Sequence, residues 1–420
     1  MRVNKHKKRG KICCRFFILS LVLLGLTLTG AWIFELWNRV PSAIRVRAGQ
    51  EEGLSFYLPA TATIYKEDEG MLLNVDLNRQ LTFYGEKEGN YTMEVQLFGL
   101  IPFKEASLSV IRDTRLTPAG TPIGIYVHTR GVLVVDTGEF EDENGKEVAP
   151  AEGVLKGGDY IETINGEVLE DKGQLMEMVA DSEGKTLSLE IERDGEEMSL
   201  DIFPRKNQQG EYKLGIWVRD NAQGIGTMTF VDENGYFGAL GHGINDLDTA
   251  QLMELKAGGL YKTEIVAVNK GTAGDPGELS GVIAYAEKNK LGEILQNSHR
   301  GIYGKVDTEN IHLEEEAMPI ALKQEIKEGP AQILCTLEDS PVYYEIEILK
   351  VNEENSQINR GLEIRVTDEE LLEKTGGIIQ GMSGSPIIQD GKLIGAVTHV
   401  MVNDPARGYG IFIEEMLGYN

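Results

Sequence analysis

Cysteine is scarce in this chain, with three in 420 residues. Cys13 and Cys14 are neighbours near the start, and beyond residue 40 only Cys335 remains. No intrachain disulfide can therefore staple the larger part, and its fold must rest on a buried core. Positive charge is scarce there too, with 33 basic against 66 acidic residues after residue 40. A body this acidic argues against holding nucleic acid by its phosphates, and the excess serves solubility. There is no metal-ligand cluster, no phosphate-cradling loop and no dinucleotide fingerprint, so neither a metal nor another cofactor is expected. No internal repeat or low-complexity tract is evident.

The first 15 residues reverse the charge balance, carrying seven lysines and arginines and no acid. They precede Phe16 to Phe34, 19 residues without a charge. At ~1.5 Å per residue such a helix spans about 28 Å, close to the thickness of a bilayer core. Trp32 and Trp37 fall where an interfacial aromatic belt would sit, and the basic flank predicts a cytoplasmic N-terminus with the body exported. No small-residue cleavage site follows the apolar run, which favours an uncleaved anchor over a signal peptide.

Beyond the anchor (residues 1–40) the chain is mainly β. Residues 41–115 alternate polar and apolar side chains, as in "YTMEVQLFGLIPFKEASLSVI", and read as a small β domain. In residues 116–205, "GGDYIETINGEVL" reads as a strand broken by the tight-turn pair Asn165-Gly166, and "DKGQLMEMVA" has helical spacing. This order resembles a PDZ domain of the bacterial protease type. Such domains bind a peptide by adding a strand to a sheet edge, and the resemblance implies a ligand site near Ile123, Gly124 and Ile125. The plainer reading is a module with a purely structural role. Residues 206–420 are short strands punctuated by glycine, which suits a pair of β-barrels.

Within that last region stands "IIQGMSGSPII". Ser383 lies between Gly381 and Gly384, as in the nucleophile loop of a chymotrypsin-like protease, and also as in any tight turn between buried strands. A nucleophile needs a base, and His242 in "FGALGHGIND", held by glycines after a buried strand, is the best candidate. His299 and His312 have polar neighbours and read as surface residues. His399, in "AVTHVMV", reads as packed on a strand. Ser385 is a second serine in the same loop, and Asp246 and Asp248 lie close to His242 in sequence.

"GALGH", "KGTAGDPGE", "TDEELLEKTGGIIQGMSGSPIIQDGKLIGAVTHVM" and the upstream PDZ-like segment together resemble the stage IV sporulation protein B family of serine peptidases. The resemblance implies a chymotrypsin-like double barrel with Ser383 as nucleophile, His242 as base and Asp368 as acid, and the Gly381 and Ser383 amides as oxyanion hole. Asp246 and Asp248 remain rivals for the acid. Met382 stands where trypsin-like enzymes have the acid that pairs with a freed N-terminus, so that activation route is absent. The family role would be regulated, signalling-type cleavage of a membrane-bound regulator, and of itself, in the space between forespore and mother cell, switching on an intramembrane protease. The alternatives are a catalytically silent PDZ scaffold that holds membrane partners, and a quality-control protease of the HtrA type.

Overall fold

The structure, a computed structural model, describes residues 3–66, 70–307, 309–353 and 357–418, with the side chains of residues 3–18 and 71 left aside. It divides into two units, residues 1–114 and 115–420.

The first unit opens with the helix Val3–Asn38. Its stretch Leu19–Asn38 is long and apolar enough to cross a membrane, and Leu19, Leu28 and Phe34 are exposed. The helix ends on a small sheet. Leu36 and Val40 join a core with Val46, Leu58, Met93 and Val95. Lys104 closes the helix C-terminus: its ammonium donates to the Val40 carbonyl at 2.6 Å and lies 5.2 Å from the Trp37 ring centre, a cation where the helix end is negative. Trp37 packs edge-on against Phe103 while keeping an exposed face, and Trp32 is exposed as well. The sheet order is Ala43–Arg47, Ile101–Ile111, Gly89–Leu97, Ala60–Lys66, Gly70–Asp76, antiparallel except for the first pair.

The second unit is built on two six-stranded barrels. The first runs Arg115–Thr137, Ile216–Val231, Tyr236–Ala239, Gly301–Val306, Lys290–Ser298 and Leu255–Asn269, and the last of these pairs back onto the first. Its inward residues include Ile123, Ile125, Val127, Met228, Phe237 and Leu260. The second is a closed ring of Gly329–Cys335, Val342–Val351, Leu362–Val366, Asp404–Phe412, Lys392–Met401 and Pro386–Gln389 around Ile333, Ile346, Ile364 and Val397. Alternate residues of each strand point inward, so closure buries one apolar face and leaves no edge.

A third core, with Val132, Ile161, Leu175, Val179, Leu189 and Ile202, belongs to a module of residues 131–220. The sequence reading puts a domain boundary between residues 205 and 206, but the pairings run across it. Arg115–Thr137 pairs with Ile216–Val231 from Thr117↔Val231 to Thr137↔Ile216. One half of this ribbon is barrel wall and the other half is module, so the module is inserted within the first barrel instead of preceding it.

The same ladder corrects the expected ligand edge. Gly124 faces Ile225 on one side and Tyr261 on the other, and Ile123 and Ile125 are buried. A strand paired on both sides has no free amides or carbonyls to offer a peptide. In the module, two of the longer strands have an open side among the described residues: Glu196–Ile202, paired only with Leu187–Arg193, and Ile216–Asp220, paired with residues 133–137 on one side and with no strand on the other. Of the two, Ile216–Asp220 is the one tied to the helix Lys172–Asp181, through the Lys172 amide and Asp220.

Candidate active site

The loop that carries Ser383 hangs between the second barrel's helix Glu369–Thr375 and its strand Pro386–Gln389. Two glycines shape it, Gly381 at φ +96° and Gly384 at φ +98°, a region costly for any residue with a side chain. At Gly384 a methyl group would also fall 2.6 Å from the Leu240 amide nitrogen and against the Thr227 carbonyl, so the loop lies directly on first-barrel backbone. Met382 is fully buried in the second-barrel core and anchors the loop by packing where an acid would need an ionic partner. Ser385 is buried and its hydroxyl has no partner among the described residues, which leaves Ser383, half-buried, as the more accessible serine. Among the described residues, neither the Gly381 nor the Ser383 amide donates to a protein acceptor.

His242 follows the first-barrel strand Tyr236–Ala239 through Leu240 and Gly241, both in the left-handed region. Its Nδ1 lies 2.8 Å from the carbonyl oxygen of Gly243. A carbonyl only accepts, so Nδ1 carries the proton and Nε2 is the basic nitrogen. One second-barrel strand, Lys392–Met401, meets both candidates on consecutive residues. The Ser383 hydroxyl donates to the Thr398 carbonyl at 2.8 Å. The His399 ring lies against His242, with centres 5.1 Å apart and planes tilted 40°. Ser383 and His242 are thus brought from different barrels to one place.

Burial holds the His242 pKa below its ordinary value, and the Gly243 carbonyl, which favours the cation, offsets this only in part. The His399 residue is accessible at one side, yet protein crowds its ring. That desolvation, then repulsion from His242 when it is protonated and from Arg360, push it down to about 4. Both imidazoles are neutral at pH 7, the state a general base requires.

Among the described residues, Asp368 makes no hydrogen bond or ion pair with His242. Asp368 is the N-cap of the helix Glu369–Thr375: one oxygen accepts from the Leu371 amide at 2.9 Å, the other from the Glu345 amide at 3.2 Å. The rivals are committed elsewhere. Buried Asp246 is ion-paired with Arg219, which also holds Asp248 at 2.8 Å. The group that orients His242 here is therefore the neutral Gly243 carbonyl. Sequence reading missed Thr398, the part of His399 beside His242, and Thr227, whose hydroxyl donates to the Gly381 carbonyl at 2.7 Å. The only signal for Thr227 is the alternation in "GTMTF", which any strand shows.

Residues 210–417, about half of the chain, match a family described as SpoIVB peptidase S55. A Lactococcus lactis (strain IL1403) protein named as a zinc metalloprotease is 39% identical over 62 residues, which is 15% of this chain and 14% of that protein. Among solved structures, the HtrA-type protease AlgW with a decapeptide is 12% identical over 51% of this chain and 55% of its own, with a TM-score of 0.28. The Rv3671c protease from M. tuberculosis in its active form is 16% identical over 47% of this chain and 72% of its own, with a TM-score of 0.25. The chain spans about a seventh of the curated relative's length and about half of AlgW's.

Proposed function

Through residues 210–417 the chain belongs to the SpoIVB peptidase family S55, and on that premise we propose that it is a membrane-tethered, chymotrypsin-like serine endopeptidase. Ser383 attacks a peptide carbonyl, Nε2 of His242 takes its proton, and the imidazolium then protonates the leaving amine. The Gly381 and Ser383 amides receive the oxyanion. The observation that carries this reading is the approach of Ser383 and His242 from two barrels to the adjacent residues Thr398 and His399, beside two amides that have no protein acceptor among the described residues. By family kinship the reaction is regulated cleavage of a membrane-bound regulator during sporulation, together with self-cleavage.

The module of residues 131–220 acts in this reading as a PDZ-like recruiter. Support comes from the open side of Ile216–Asp220, from the neighbouring helix Lys172–Asp181, whose first amide donates to Asp220 at 3.0 Å, and from the apolar side chains Leu175, Met178 and Val218 of these two elements in one core cluster. A peptide added as a strand would find backbone partners on one side and an apolar helix face on the other.

One observation favours the silent-scaffold alternative: the Ser383 proton points to the Thr398 carbonyl, so the hydroxyl must rotate before His242 can take it. Incubating the full chain in detergent with a fluorophosphonate, and mapping the labelled residue, separates the two. Attack forms the Oγ–P bond, breaks P–F and releases fluoride, with the serine proton taken by His242. Label on Ser383 supports the peptidase, and absence of label at any residue refutes it.

A further inference from the structure

We propose that Thr227 is the positioning residue of the oxyanion hole; this rests on the peptidase reading. In a trans peptide the carbonyl and the amide hydrogen point in opposite directions, so a bond to the carbonyl aims the amide. Both candidate donors are aimed in this way. The Gln380 carbonyl accepts from the Leu279 amide at 2.8 Å, which turns the Gly381 N–H away from Leu279. The Met382 carbonyl accepts from the Ser385 amide at 2.9 Å, which turns the Ser383 N–H the opposite way.

The carbonyl of each donor residue is then held, among the described residues, by Thr227 alone. Its hydroxyl donates to the Gly381 carbonyl at 2.7 Å and its amide to the Ser383 carbonyl at 2.9 Å. With the peptide planes on both sides of Gly381 held, its φ of +96° is locked, although glycine has wide freedom of its own. The ladder of Ile216–Val231 is irregular between Met228 and Phe230, and Thr229 at that irregularity sends its buried hydroxyl to the Gly384 carbonyl at 2.8 Å. A bulge beside a site re-aims a side chain in this way.

The arrangement also absorbs "KGTAGDPGE". Lys270 to Glu278 wraps the loop from the first barrel: the Gly277 carbonyl accepts from the Gln380 amide at 3.1 Å, and the Gly271 amide donates to the Thr375 carbonyl at 2.8 Å. Among the described residues, the bonds to the peptide planes that flank the two donors come from backbone groups except the one from the Thr227 hydroxyl, so that one can be removed by simple substitution.

The test measures fluorophosphonate inactivation of the full chain, separated into the maximal rate and the half-saturating probe concentration. Thr227→Val keeps shape and loses the donor; Thr227→Ser keeps the donor. Thr227→Val should lower the maximal rate by about 10- to 100-fold, part of the ~10²–10³ that loss of a whole donor costs. The half-saturating concentration should be unchanged, and Thr227→Ser should restore the rate. In the adduct the phosphoryl oxygen occupies the hole, so Thr227→Val should shift the phosphorus resonance and Thr227→Ser should return it. Thr227→Ala carries the same test if the valine variant does not fold. The proposal is overturned if Thr227→Val reacts at the wild-type rate, if the loss lies in the half-saturating concentration, or if Thr227→Ser is equally impaired. Failure of the wild type to react at Ser383 instead refutes the peptidase reading itself.

Discussion

Replacing Asp368 separates two incompatible roles for one carboxylate. As a triad acid it would orient His242, and Asp368→Asn would lower the rate by ~10⁴-fold through the wrong tautomer. As the cap seen here, its oxygens accept from the Leu371 and Glu345 amides. Asparagine keeps one acceptor and turns an NH₂ group toward the other amide, so Asp368→Asn should cost about 1 kcal/mol of stability. Alanine removes both acceptors. Loss of the N-cap costs about 1 kcal/mol and loss of the second bond about as much again, so Asp368→Ala should be destabilised by about 2 kcal/mol. Urea unfolding of the two variants measures these costs. The rate of fluorophosphonate labelling, normalised to folded protein, measures chemistry and should equal that of wild type in both. A drop of more than about 100-fold in Asp368→Asn, with the urea midpoint in place, would refute the capping argument and return the acid to Asp368.

Ser383→Ala and His242→Ala should each abolish labelling and self-cleavage while unfolding with the wild-type urea midpoint; undiminished self-cleavage in either refutes the pair. Because the His242 pKa lies below the ordinary 6.5, the base stays neutral into mild acid, and the acid limb of the labelling rate against pH should have its midpoint under 6.5; a midpoint above 7 contradicts the burial. The same depressions bear on stability. The unfolded chain takes up protons at His242 and His399 near pH 6.5 while the folded chain does not, so stability present above 6.5 should fall as pH drops toward about 4, checked by urea unfolding across that range. Met178→Glu should place a charge in the apolar groove beside Ile216–Asp220 and stop cleavage of the physiological partner while Ser383 still labels at the wild-type rate; equal partner cleavage would remove the recruiting role.

The strands were legible because their signal is local. Leu187–Arg193 buries alternate residues at its start, as its letters read, and Lys172–Asp181 buries Leu175 and Val179 at helical spacing. The insertion of the module was not legible, because it depends on which distant strands share a ladder. Thr117 meets Val231 and Thr137 meets Ile216 across the whole intervening module, and a pairing of that kind leaves no mark in either segment. The misplaced peptide edge has the same origin. "PIGI" at 122–125 and "KLGI" at 213–216 both put Gly-Ile after an apolar residue, and only the neighbours decide that the first is enclosed and that the strand starting at Ile216 has an open side.

At the site, legibility divides between backbone-determined and partner-determined residues. Gly381 and Gly384 stand in the sequence because close backbone approach and positive φ exclude other residues, so the loop around Ser383 announces itself in "GMSGS". His242 does so for a related reason, since Leu240 and Gly241 must turn left-handed to bring the ring out of the barrel wall. An orienting acid has no such constraint. It needs only a carboxylate of correct reach, and the chain offers 67 acidic residues. Family resemblance alone singles out Asp368, whereas its place ahead of "EELLEKTGG" is the cue for a helix N-cap, and its oxygens meet the amides that such a cap serves. Where one pattern satisfies both a fold requirement and a chemical one, the local requirement is met by adjacent residues, whereas the chemical one needs a distant partner that a single sequence does not locate. The Gly243 carbonyl that holds Nδ1 of His242 lies at the other extreme, since every residue has such a group and no letter marks the one that is used.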